Sequence, residues 1–450
     1  MAGGTWLAQN KIRPGAYINF KSVPRPVSMV GTRGVVAIPL SLKWGARDEV
    51  IEIYSDELLT TKSLELLGFT AFDNDSKLIR EALRYSYKAL VYRMDSGGEN
   101  AAGTIDGADI SAKYPGTVGN NITIAVKEAV FGDDLFDVET YFNGDIKDVQ
   151  TVKESSELVG NDWIDFQPKD EPLSPTAGIT LNGGEDGIVH EKTAYPKFFE
   201  IMQDRTWNTM AVPTADATVK ANAVTYIKNL RDGQGKYRQI ALCDYRIADY
   251  EGVVSSKQGI INTSGERIEP EEFVCTVAGM TAGAEITQSN TYKTVIDAAD
   301  IINPIDDHDI ETELIRGNFV IRRSSYDDGI VIIEQDINTF TSVTPEKNRD
   351  FSKNKIIRVL DDIGNQVKFI FETQYIGKVP NDDIGRNVFR NQILSYLLEL
   401  QGIRAVTNVE PEDIVVELGM ELDSVVANMW VQPVDVMEKL YMTVEVGRKN

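Results

Sequence analysis

Two short apolar runs, "NTMAVPT" (208–214) and "YRQIALCD" (237–244), flank a segment of helical periodicity, "ATVKANAVTYIKNLRD" (217–232), and a turn, "GQG" (233–235). Strand, helix, strand in that order is a βαβ unit, and strands joined by a helical crossover lie parallel. Part of the chain should therefore contain a parallel sheet. Upstream, "DELLTTKSLELLGF" from Asp56 and "DSKLIREALRYSYKAL" from Asp75 start with acidic cap candidates and carry helical spacing, and "ALVYRM" from Ala89 reads as a buried strand. "AYPKFFEIMQDR" from Ala194 reads as a helix with Pro196 near its first turn.

That texture is interrupted. From about Asp95 to Gly184 the sequence gives short β-type runs, "NNITIAV", "DVETYFN" and "DWIDFQ", separated by Gly, Asn and Pro. This reads as an antiparallel β domain inserted into an α/β one. Beyond Glu285, strands "GNFVIRR", "GIVIIEQDIN" and "QVKFIFET" are expected around a helix, "RDFSKNKIIRVLDDI". A second helix, "DIGRNVFRNQILSYLLELQG", sets Val388, Ile393, Leu394, Leu397, Leu398 and Leu400 mainly along one side. The fold class is α/β (α+β) and multidomain, which 450 residues at 42% hydrophobic content can support.

Charge is lopsided. The chain carries a formal −23, yet its first 47 residues hold seven Lys or Arg and no Asp or Glu. Nucleic acid is a poor partner for the acidic body, since phosphate binding needs clustered cations. Cys243 and Cys275 are isolated and His190 and His308 are the only histidines, so neither a disulfide scaffold nor a His/Cys metal site is expected. No signal-peptide core and no apolar run of the ~18–20 residues that span a bilayer are apparent, which suggests folding in a reducing cytoplasm without direct membrane insertion.

Both ends carry alternating patterns. In "KIRPGAYINF" (11–20), Ala16, Ile18 and Phe20 share one face, Tyr17 and Asn19 the other, and Pro14 suits an edge or entry position. In "LYMTVEV" (440–446), Leu440, Met442, Val444 and Val446 alternate with Tyr441, Thr443 and Glu445. Such strands can pair within their own subunit or add to a neighbour's sheet.

Signals for chemistry are weak. The acidic cluster "DDHDIE" (306–311) matches no ligand spacing and reads as a solvated loop. "LNGGEDG" (181–187) fits neither a calcium loop nor a phosphate loop, and "RDGQGK" (231–236) follows a helix where a dinucleotide fingerprint would follow a strand. Neither histidine sits in a nucleophile context. No catalytic residue, cofactor or metal is expected.

A run in the C-terminal third, "GIVIIEQDINTFTSVTPEKNRDFSKNKIIRVLDDIGNQVKFIFETQYIGKVPNDDIGR", resembles contractile tail sheath proteins, the family of phage and prophage tails and R-type bacteriocins. "DINTFT", "IRVLDDI", "YIGKVPND" and "QPVDVMEKLYMTVEV" carry the likeness, and "KIRPGAYINF", "AKYPGTVGNNITIAV", "LNGGEDG" and "VAGMTAGAEITQSNTYK" extend it upstream to the Gram-positive type. The resemblance implies a structural sheath subunit and no enzyme. Copies would form a homo-oligomer of stacked rings, hexameric in the family's manner, as a helical polymer around an inner tail tube protein, bounded by baseplate and tail-terminator proteins. The polymer would assemble in the bacterial cytoplasm and contract from a metastable extended state.

It also implies an organisation. Residues 1–47 would form a basic arm with an exchanged strand, 48–94 and 185–345 the two parts of an α/β sheath domain, 95–184 the β-rich insertion, and 346–450 an inner C-terminal domain. The exchanged strands would be Ala16, Tyr17, Ile18, Asn19 and Phe20 at one end, and Met442, Thr443, Val444, Glu445 and Val446 at the other. Arg386 and Arg390 would face the tube. A phage and a headless bacteriocin fit equally, and the alternative of another class is a cytoplasmic α/β enzyme with a β insertion.

Overall fold

A computed structural model of the chain describes residues 2–4, 15–17, 33–129, 134–325 and 329–446. The body is built on a six-stranded sheet in the order Val253–Ser256, Gln239–Cys243, Thr209–Val212, Val35–Leu40, Lys88–Arg93, Val50–Tyr54. The βαβ pair is parallel as expected, with Thr209 beside Gln239 and Val212 beside Leu242, and only the edge strand Val50–Tyr54 runs antiparallel. Val35–Leu40, "VVAIPL", is buried at every position because it lies mid-sheet: Val36, Ile38 and Leu40 enter one core, Val35 and Ala37 the other. The basic arm expected over 1–47 therefore ends earlier, since residues from Val35 onward belong to the core.

Helices α1 (Thr61–Leu67) and α2 (Lys77–Leu83) cover the first face, and α3 (Glu191–Gln203) and α4 (Ala217–Lys228) the second. Gly68 ends α1 in the left-handed region, φ 78°, and a Cβ there would lie 2.4 Å from that of Trp44, so glycine is required on both counts. The start expected near Ala194 is three residues late. In α3 the amides of Thr193 and Ala194 donate to the His190 carbonyl, completing the first turn before Pro196, whose missing N–H then removes one hydrogen bond from the second. The long apolar α5 (Pro270–Gly283) packs on the first face, closed at its start by a capping box between Glu269 and Glu272.

The segment expected to be β-rich forms two antiparallel sheets. One runs Asp145–Val152, Phe136–Phe142, Ile122–Glu128, Thr176–Thr180; the other Ile164–Pro168, Ala108–Ala112, Ala102–Ile105. Their shared core stacks Phe142 on Trp163 with ring centroids 4.6 Å apart, and Trp44 from the body stacks on Trp163 at 5.7 Å. At the neck the fully buried Arg93 clamps Asp95, Nε to Oδ1 and Nη2 to Oδ2 both at 2.8 Å, and Arg47 adds a third contact at 2.8 Å. Burial pushes the Asp95 carboxyl up, but the two arginines outweigh it and hold it below the ordinary value. "LNGGEDG" is the turn that returns the chain to the body, with Asn120 bonding both the amide and the carbonyl of Gly184.

Helix α6 (Asp307–Ile315) absorbs the acidic cluster read as a loop: Asp306 takes the capping position and Asp307 and Asp309 its first turn, where carboxylates oppose the helix dipole. Two long helices follow, α7 (Asn354–Ile370) and α8 (Asp383–Gly402). The strand expected at "QVKFIFET" is instead the end of α7 and a wide turn, Phe371–Tyr375. Val367 and Phe371 sit four apart on one helical side and Phe369 is exposed, so the apparent alternation was part of a 3.6 period. On α8 the buried stripe is Phe389, Ile393, Tyr396, Leu397 and Leu400, whereas Val388 and Leu398 are exposed. Ile393, Leu394, Leu397 and Leu400 of the expected side do face inward, and Phe389 and Tyr396 complete it. A final hairpin pairs Ile414–Leu418 with Val425–Met429.

Candidate assembly interface

Helix α7 organises the region to which both arms are attached. Its inward flank is bolted to the body by buried charge. Asp361 takes two parallel 2.7 Å bonds from Arg231, and Asp336 accepts from Arg358 (2.9 Å), Asn354 (2.9 Å) and the Asn290 amide (2.9 Å). Burial alone would lower the Arg231 guanidinium, but Asp361 outweighs it and raises it, while burial pushes the Asp361 carboxyl up against the pull of Arg231.

The roots of the two arms sit on either side of that seam. Arg33, the first described residue of the core-proximal chain, donates to the Ala284 carbonyl at 3.3 Å; burial and the like charge of Arg358 lower it to about 10 while Asp361 and Asp362 oppose them. Gly34 follows at φ 112° against the Tyr87 ring, where a Cβ would approach to 2.7 Å. At the other end Lys353 binds Asp435 at 2.5 Å and Glu438 at 2.9 Å, and Glu438 also accepts from Thr291 and Gln335, each at 2.8 Å. Burial would lower Lys353, but these two carboxylates outweigh it and raise it. Among the described residues this clasp is the last hold on the chain. From Lys439 to Val446 every residue is exposed and none belongs to a strand.

The expected strand residues therefore stand as follows. Met442, Thr443, Val444, Glu445 and Val446 form an extended exposed tail, with Met442 72% and Val446 96% exposed. At the other end Ala16 and Tyr17 lie in Gly15–Tyr17, which pairs in parallel with Ala2–Gly4, and Ile18, Asn19 and Phe20 fall outside the described residues.

The hairpin 414–429 was missed by sequence reasoning. It has only two strands, so among the described residues each strand has one side without a ladder partner. Ile414 packs inward on α8, while Val415, Leu418 and Val426 are exposed. Beside Val425, Ala427 and Met429 lies an apolar groove of about 320 Å³, floored by Val367, Phe371 and Phe389 and walled by Tyr237. Arg386 and Arg390 serve this construction. Arg386 donates to the Asn381 carbonyl at 3.0 Å and pairs with Asp383; Arg390 donates from Nε to the Ile414 carbonyl at 2.7 Å and also to that of Pro411.

Nothing in the geometry suggests chemistry. Cys243 is pushed up to about 11 by burial and Cys275 further by the same cause, which leaves both thiols protonated. Three family models match in chain order: the phage tail sheath protein beta-sandwich domain over 96–186, its central domain over 190–339, and the phage tail sheath C-terminal domain over 346–447. The chain belongs to the phage tail sheath family. The sheath tail protein of Desulfitobacterium hafniense is 36% identical, covering 94% of this chain and 98% of that one at a TM-score of 0.78. That of Listeria innocua, Lin1278, is 33% identical over 90% and 93% at 0.83. The helical sheath of the anti-feeding prophage in its contracted state shares the fold alone, at 11% identity and a TM-score of 0.55 over 97% and 99%. Membership in this family makes the chain a structural tail sheath protein and not an enzyme. No helix among the described residues is long and apolar enough to cross a membrane.

Proposed function

We propose that this sheath subunit polymerises by strand addition: copies stack as rings, hexameric in the simplest arrangement, around an inner tube, and each terminal arm completes the sheet of a neighbour. The observation that carries the reading is the Leu440–Val446 tail, alternating in sequence, exposed on both sides and held at its root by the contacts of Lys353, Thr291 and Gln335 to Glu438. A free tail of this kind leaves Leu440, Met442, Val444 and Val446 in water; burying each would contribute about 1.5–3 kcal/mol. Four to six added backbone bonds contribute roughly 0.5–1.5 kcal/mol each, so side-chain burial is at least as large a term. The two-stranded hairpin with open edges is the receiving element. Two links per subunit would give a mesh whose strength comes from multivalency, able to stay joined while the bodies repack.

Contraction is then a passage from a metastable extended lattice to a lower-energy one, with the free energy stored at assembly and no nucleotide spent at the moment of firing. The organisation into arm, two-part α/β domain, insertion 95–184 and inner domain 346–450 belongs to the same proposal. So does a tube-facing α8. Arg386 and Arg390 bond within the chain to Asn381 and Ile414 on the inward side of the helix, while Ile384, Val388 and Leu398 on the opposite side supply its free apolar surface. Inner tube, baseplate and terminator would be the partners, assembled in the bacterial cytoplasm, in an infectious tail or a headless bacteriocin.

Removing Met1–Phe20 tests the reading. The shortened chain should remain folded and monomeric, with no cylinders by negative-stain microscopy under conditions where the full chain forms them. Cylinders of normal appearance from the shortened chain would refute it.

A further inference from the structure

The charge along the chain is segregated twice, in opposite senses. The first 47 residues hold seven Lys or Arg and no acid; residues 405–438 hold eight Asp or Glu and no Lys or Arg. The base-free stretch is the one that folds into the 414–429 hairpin. Of its acids, Asp413 serves as a backbone cap, and Asp435 and Glu438 are taken by Lys353. Glu410, Glu412, Glu417, Glu421 and Asp423 are exposed and make no ion pair among the described residues. Elsewhere on the surface, acids such as Glu52 and Asp300 do find partners, Lys88 and Arg323.

We propose that the base-free hairpin of one copy is the electrostatic address for the acid-free arm of a second copy, with Lys11 and Arg13 set against Glu417, Glu421 and Asp423. This rests on the strand-addition reading above. The alternating side Ala16, Ile18, Phe20 would enter the 320 Å³ groove beside Val425, Ala427 and Met429, while the basic residues before Pro14 meet the acids at the hairpin's outer side and turn. A second copy is the occupant because in the single chain Gly15–Tyr17 pairs with Ala2–Gly4 and not with the hairpin. Exposed ion pairs hold weakly and are screened by salt. A cluster of them facing an opposite cluster acts instead on encounter rate and register. The address therefore governs how fast and how correctly copies join.

Charge reversal in the full-length chain tests this. One variant carries Lys11→Glu and Arg13→Glu; the other carries Glu417→Lys, Glu421→Lys and Asp423→Lys. Glu417, Glu421 and Asp423 are exposed and make no ion pair among the described residues, and Lys11 and Arg13 precede the core strands, which begin at Val35, in sequence, so each variant should melt at the temperature of the unaltered chain. At about 0.05 M salt each alone should polymerise roughly ten-fold or more slowly by light scattering, within the range that steering accounts for. An equal mixture of the two should recover the rate, because each arm then finds an opposite hairpin, and the unaltered chain should slow as salt rises toward about 0.5 M. Normal rates from either variant would overturn the proposal. Recovery only when both sets sit in one chain, and not on mixing, would overturn the second-copy occupant. If removal of Met1–Phe20 leaves polymerisation intact, strand addition itself falls; if that removal blocks it while charge reversal has no effect, only the electrostatic address falls.

Discussion

The two flanks of α7 differ in completeness. Toward the body, Arg358 and Asp361 find buried partners on other elements and Gln239 donates to Asn354 at 3.0 Å, with Nε and Nη1 of Arg358 left as buried donors without a partner. Toward the hairpin, Val367 and Phe371 floor an open groove, a two-stranded ladder ends without neighbours, and an apolar tail stands in water. A monomer made only to be stable would cover that side. Stability and assembly are thus allotted to opposite flanks of one helix, and substitutions should separate them.

The largest loss is expected at the seam. Asp361→Ala strands Arg231 in the interior, and breaking a buried pair on one side destabilises by about 3–5 kcal/mol; urea unfolding should show it, with assembly lost only because the fold is. At the neck of the insertion, pH supplies a second break. Asp95 is held below its ordinary value, so the stability it contributes is present above the unfolded carboxylate's pKa, about 3.9, and is lost as pH falls through the lower folded value. Melting temperature should be flat from pH 7 to 5 and drop below pH 4, and Asp95→Asn should lower the neutral value and flatten the acid drop.

A smaller effect belongs to the clasp. Lys353→Ala frees Asp435 and leaves Glu438 only its bonds from Thr291 and Gln335, removing partly exposed contacts worth about 1 kcal/mol or less to the monomer, but assembly should slow because the tail's departure point is loosened. The smallest stability change comes from the tail: Met442→Ser with Val444→Ser should move unfolding by no more than about 0.5 kcal/mol while abolishing cylinders in the microscope. That pair sharpens the contrast with Asp361→Ala most.

Much of the architecture was legible because period and burial coincide. The βαβ unit, the β-rich insertion and the helix from Asp383 follow from runs whose spacing matches one environment. "QVKFIFET" misled because Val367, Phe369 and Phe371 satisfy a two-residue period locally, and only the longer register from Ile356 through Val359 and Ile363 shows the helix. Absence of acid extends the arm over Val35–Leu40, but "VVAIPL" has the continuous apolar run of a strand buried on both faces. The tail's alternation was legible, but what it pairs with is not a property of one chain. The receiving hairpin was overlooked, although its long base-free stretch stands in the sequence.

The central claim is that assembly depends on a tail the monomer does not use. Removing Lys439–Asn450 leaves the Glu438 clasp in place, so melting temperature and negative-stain images of the same preparation read the two properties together. Unchanged melting with no cylinders is the expected result. Cylinders of normal length, or a melting temperature several degrees lower, would contradict it, the first by showing the tail dispensable for assembly and the second by showing that it belongs to its own subunit's core.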